Sequence, residues 1–169
     1  AGDEMLRARI RRELATRSHV LPLWLEKLAA VETYRAAEMV HVLGDGDNVM
    51  VATRFANADE LTIVVYIAPN LGTVVKDAFI VPQPLDELLE FMRAKTDDID
   101  TAWNDIEPAD ARARITEAID MGAITFPPFE SDTWPACRPL VEWITRLLPD
   151  GGRGYERPEW DDAALKAIA

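Results

Sequence analysis

The sequence predicts an α+β domain, a four-stranded antiparallel meander flanked by two N-terminal and about three C-terminal helices. Residues 38–82 show short apolar runs separated by turn residues, and the segments on either side repeat apolar positions every three or four residues. The chain has 169 residues, 49% of them hydrophobic and 28% charged, enough for one domain with a real core. The expected division is 1–37 for N-terminal helices, 38–82 for the sheet, 83–150 for a helical part and 151–169 for a flexible or docked tail.

The first helix rests on Met5, Leu6, Ile10 and Leu14, with Arg7, Arg9, Arg11 and Arg12 on its other faces. Ser18 offers a cap and Pro22 a first turn for a second helix that points Leu25, Leu28, Ala29 and Val31 inward and ends near Ala36. Strands follow at Glu38 to Leu43 and Val49 to Phe55, joined by the turn Gly44-Asp45-Gly46-Asp47-Asn48. Leu61 to Ala68 reads as an interior strand, Pro69-Asn70-Leu71-Gly72 as a turn, and Thr73 to Val81 as the fourth strand, stopped by Pro82.

Beyond the sheet, Leu85, Leu88, Leu89 and Met92 form one stripe of a helix from Pro84 to Lys95, and Asp98 to Ile106 suggests a short helical turn around Trp103. Pro108 opens a helix with Ala111, Ile115, Ala118 and Ile119 inward, closed by Gly122. Phe126-Pro127-Pro128-Phe129 is excluded from helix and is expected as a packed loop. Asp132 or Thr133 caps a last helix from near Pro135 that bears Leu140, Val141, Ile144 and Leu147, and a short terminal helix begins near Pro158.

The turns imply a register with Val51 opposite His41, Tyr66 beside Val51, and Val75 beside Tyr66. One sheet face then carries His41, Thr53, Tyr66 and Asp77 among apolar neighbours, the composition of a small-molecule pocket. An imidazole near neutrality and a carboxylate in that set would suit proton transfer. The same residues are equally at home on a half-exposed sheet edge. Neither face is polar enough to meet water along its length, so helices are expected to cover much of both, or a partner to cover one.

Thirty acidic against 18 basic side chains give a net charge of −12, which repels phosphates and argues against nucleic-acid binding. No apolar run approaches the roughly twenty residues that cross a bilayer, so no membrane role is expected. The single Cys137 forms no internal disulfide and favours a reducing, cytoplasmic compartment. It stands in the first turn of a helix, where the dipole can lower a thiol pKa, but with no base placed beside it a buried, inert side chain is the expectation. Arginine outnumbers lysine 14 to 4, the bias of GC-rich codons and of a high-GC bacterium. There is no phosphate loop, dinucleotide glycine pattern, zinc-protease helix or Cys-x-x-Cys pair, and no cofactor or metal is expected. Asp45-Gly46-Asp47-Asn48 matches part of a calcium loop but lacks its closing glutamate.

Charge is unevenly spread. Residues 5–35 hold seven basic and three acidic side chains; residues 83–132 hold four basic and thirteen acidic, with Asp97, Asp98, Asp100, Asp105, Glu107 and Asp110 densest. Such a split suits orientation toward a partner or a match between opposite patches of two copies. Trp134-Pro135 and the Phe126–Phe129 loop read as a partner patch if exposed and as a plug for the core if buried; burial is the expectation. The sequence therefore points to a non-catalytic protein-interaction or accessory domain with a protein partner or a homodimer. Its alternative is a small-molecule-binding or enzymatic domain using His41, Thr53, Tyr66 and Asp77.

Overall fold

A computed structural model of the chain describes residues 2–16, 30–41, 43–96, 100–127, 131 and 133–155. The elements are α1 (Gly2–Ala15), β1 (Glu32–His41), β2 (Asp47–Arg54), β3 (Glu60–Ala68), a short 3-10 turn (Pro69–Leu71), β4 (Val74–Val81), α2 (Leu85–Lys95), β5 (Thr101–Ile106), α3 (Pro108–Ile124) and α4 (Trp134–Thr145). The class is α+β and the expected meander is present, extended by a fifth strand to an antiparallel sheet of order β4-β3-β2-β1-β5.

That fifth strand replaces the helical turn expected around Trp103. Residues 101–106 pair with β1, Trp103 opposite Met39 and Asn104 opposite Glu38. As an edge strand it carries Asn104 and Asp105, which blur the alternation that marks a half-buried strand and protect the free edge. A second correction concerns β1, which starts at Glu32, so the residues assigned to the end of the second helix are strand. The β-favouring Thr33 and Tyr34 outweigh the helical spacing that leads up to them. The rest of that expected helix, 17–29, and the expected terminal helix from Pro158 lie outside the described residues.

Three layers result. On one face Ala36, Val49, Val51, Ile63, Val65, Ile67, Val75 and Ala78 pack against Ala111, Ile115 and Ala118 of α3 and Val141 and Ile144 of α4. On the other, Ala37, Met50, Ala52 and Val64 meet Leu85, Leu88 and Leu89 of α2. The central strands are thus buried on both sides, which is why they read as nearly continuous apolar runs. Asp86 and Glu87 in the first turn of α2, with Arg93 and Lys95 in its last, match the helix dipole.

The register differs from the expected one. Val51 pairs with Ala36 and Ile63, and Tyr66 with Asn48 and Asp77. The turn apex is Gly44, at a φ of 68° that suits glycine, rather than Gly46, and Asp47 and Asn48 belong to β2. Both hairpins are displaced by an odd number of residues, and each such slip exchanges faces. Lys76 is an extra residue in β4, because Ile67 pairs with Val75 while Tyr66 pairs with Asp77.

Topology also defines two ends. The β2–β3 turn, the start of β1 and the entries to α2 and α3 gather at one, here the entry end. The β1–β2 and β3–β4 turns, the start of β5 and the end of α3 gather at the other, the loop end; a Cβ on Gly44 would lie 4.0 Å from Asn70 Oδ1.

Candidate functional site

The four residues expected on one face occupy three places. His41 and Tyr66 stay together because the two odd slips between them cancel. The Tyr66 hydroxyl donates to the Asp45 carbonyl at 3.0 Å, and His41 Nδ1 lies 3.8 Å from Asp45 Oδ2 while accepting from the Leu43 amide at 3.3 Å. A Cβ on Gly46 would fall 2.1 Å from the Tyr66 ring, so the ring rests on bare backbone there. Thr53, one slip away, sits on the opposite face toward the entry end, fully buried with a hydroxyl that makes no hydrogen bond. Asp77 lies beside Tyr66 in the ladder, yet its carboxylate serves the start of α4. It accepts from Ser131 Oγ at 2.9 Å, from the Ala78 amide at 2.9 Å and from Thr133 Oγ1. Burial alone would raise the Asp77 carboxyl; the hydrogen bonds from Thr133, Ser131 and the backbone outweigh it and hold the group below its ordinary value. Asp77 is thereby a helix cap delivered from a neighbouring strand.

A polar cluster that the sequence reading missed lies between the sheet and α3. Glu38 and Asp47 are buried to 8% and 6% exposure. Arg114 of α3 forms an ion pair with Glu38, which also accepts from Asn104 Nδ2 at 3.2 Å. The Arg114 guanidinium stands 5.6 Å from the Tyr155 ring centre, and the Tyr155 amide donates to Glu117 Oε2 at 3.0 Å. Burial pushes the Asp47 carboxyl up, opposed by the Tyr155 hydroxyl, which lies against it without a well-formed hydrogen bond. Burial also raises the Tyr155 phenol, helped by the negative charge of Asp47. The cluster fastens α3 and residues 151–155 onto the sheet. It pairs no nucleophile with a base, and among the charges that line the cleft of about 760 Å³ beside it Arg112 is paired with Asp150 at 2.7 Å. Only its parts were visible in sequence, as charges inside strands and helices.

Cys137 is half-buried, and burial together with the nearby charge of Asp77 pushes its thiol up, the opposite of activation. Among the described residues no group of three or more His, Cys, Asp or Glu side chains is placed to hold a metal ion, and no helix is long and apolar enough to cross a membrane.

The loop end is different in kind. Leu43 is 69% exposed, Leu71 46%, Ile124 76% and Phe126 92%. The expectation that the Phe126 loop packs inward is therefore corrected for Phe126 itself. The helix α3 runs on past Gly122 to Ile124 and carries the following residues beyond the sheet. Among the described residues of the connections that meet at this end, 43–46, 69–73, 96, 100 and 125–127, Asp45 and Asp100 are acidic and none is basic, while Lys76 of β4 stands beside them, 5.4 Å from the Tyr66 ring centre. Asp45, Asp100 and Asp120 are exposed there. Isolated exposed apolar residues are ordinary, but several large ones gathered at one end are the composition of a contact surface.

Fold and surface together define an α+β domain whose loop end exposes large apolar side chains. No protein-family model matches the chain, and no curated protein and no solved structure is significantly similar to it.

Proposed function

We propose that this chain is a non-catalytic interaction domain that binds protein through its loop end, self-association being the expected use. The observation that carries the reading is the exposure of Phe126, with Ile124, Leu43 and Leu71, at one end of the sheet. An exposed aromatic beside a proline is a rigid anchor of the kind that dominates binding energy at interfaces. A cytoplasmic setting belongs to this reading, since the lone Cys137 has no partner cysteine. The small-molecule alternative on His41, Thr53, Tyr66 and Asp77 is weaker, because Thr53 lies on the opposite face and the Asp77 carboxylate is bonded to Ser131 and Thr133.

Sedimentation velocity of the full chain and of Phe126→Asp tests the proposal. The expected result is a concentration-dependent dimer for the native chain and a monomer of unchanged thermal stability for the variant. An association that the variant leaves intact contradicts the choice of surface; a native chain that stays monomeric and captures no partner contradicts the function.

A further inference from the structure

We propose that residues 151–155 form a strap that closes over Asp47 and lifts as the carboxyl of Asp47 loses its proton.

Three observations meet. First, the strap has a pivot. Its sequence is Gly151-Gly152-Arg153-Gly154-Tyr155, and Gly151 sits at a φ of 88°, a conformation that costs glycine little. The Arg153 side chain is 91% exposed, so Tyr155 is the strap's one side chain packed against the core. Second, carboxylates of α3 hold its backbone. The Arg153 amide donates to Asp110 Oδ1 at 2.7 Å and the Tyr155 amide to Glu117 Oε2 at 3.0 Å. Third, the strap covers a carboxylate that has no cation of its own. The Tyr155 hydroxyl lies against Asp47, which is 6% exposed. Among the described residues, the charged groups that face this pair are Glu38 of β1 and Arg114 and Glu117 of α3, and Arg114 is taken by Glu38.

Two buried carboxylates thus share one guanidinium, and ionised Asp47 is left with a neutral phenol. A buried charge so placed favours a state that returns it to water, and lifting Tyr155 does so. Burial raises the Asp47 carboxyl under the closed strap, so the closed state is favoured in acid and the penalty on it is complete once pH exceeds that raised value. Protonation of Asp110 or Glu117 acts the other way, weakening the bonds to the strap as pH falls, so the sign of the response separates Asp47 from both. The strap is also one wall of the cleft of about 760 Å³ beside α3, and lifting it widens that cleft.

The test is amide exchange of the full chain, followed by NMR from about pH 5 to about pH 8 with each rate divided by its intrinsic value. Protection of the Arg153 and Tyr155 amides is expected to fall by roughly threefold or more as pH rises. Dilute urea is expected to leave their exchange unchanged, the mark of a local opening that exposes little surface. Asp47→Asn is expected to keep both amides protected across the range. Tyr155→Phe keeps the ring but removes the hydroxyl that favours ionised Asp47, and is expected to move the fall to higher pH. A flat profile in the native chain, a fall that survives Asp47→Asn, or strap amides that exchange only together with those of the core as urea is added would each overturn the inference.

Discussion

The two ends of the sheet differ in what they leave exposed. At the entry end Arg35 and Arg54 are paired within the chain. Arg54 pairs with Glu60 at 2.7 Å and lies 4.5 Å from the Tyr34 ring centre; the Tyr34 hydroxyl donates to the same Glu60 at 2.7 Å. Burial, then the bond and charge of Glu60, push the Tyr34 phenol up to about 12. Arg35 joins β1 to Asp105 of β5 at 2.7 Å and to Asp86 of α2. At the loop end, among the described residues, Leu43, Leu71, Ile124 and Phe126 are exposed. Surface ion pairs contribute little stability each, so the contrast concerns what each surface offers a partner more than how each holds the fold.

Substitutions at both ends sharpen that contrast. The largest effect is expected from Gly46→Ala. Its Cβ must displace the Tyr66 ring and with it the bond to Asp45, costing about 2–3 kcal/mol in urea unfolding and changing the loop surface. An unchanged midpoint would mean that Tyr66 swings away freely.

Asp77→Asn comes next, at about 2 kcal/mol at neutral pH, because an ionised acceptor of several hydrogen bonds is lost. Its folded carboxyl is held below the unfolded value, so the stabilisation is complete above the ordinary carboxylate range and disappears as pH falls through the folded value. Native and variant melting curves are expected to converge in acid. A gap that persists there would contradict the assignment.

Two replacements are expected to stabilise. Thr53→Val removes a buried hydroxyl that has no hydrogen bond while keeping its shape, for a gain of about 1 kcal/mol in the same assay. Loss instead of gain would show that the hydroxyl is satisfied. Asp47→Asn relieves a buried carboxylate by about 1 kcal/mol or less, with a pH dependence opposite to that of Asp77. Since folding raises the Asp47 carboxyl, its ionised form opposes folding above that raised value and the penalty vanishes on acidification. The gain is therefore present at neutral pH and fades in acid; a gain that grows in acid would reverse the sign.

Much of the architecture was readable because periodicity and turn residues agreed. The stripes Leu85-Leu88-Leu89 and Ala111-Ile115-Ala118 did become the buried sides of α2 and α3. The register was not readable, since Gly44 and Gly46 both qualify as a turn apex and hydrophobic alternation is weak where both sheet faces are buried. Edge strand β5 was hidden by its polar residues, and the cluster of Glu38, Asp47 and Arg114 by the distance in sequence between its members. The proximity of His41 and Tyr66 was anticipated, although through a register that was wrong at two places. The exposure of Phe126 was not readable, because composition does not encode the direction of a side chain.

The most direct test compares the two ends in a single sample by hydrogen exchange with mass spectrometry on dilute and concentrated protein. The account predicts that amides of residues 41–47, 69–73 and 121–127 gain protection on concentration, while those of the entry-end turn from Phe55 to Glu60 exchange at the same rate in both. Protection gained at the entry-end turn, with the loop end unchanged, would contradict it.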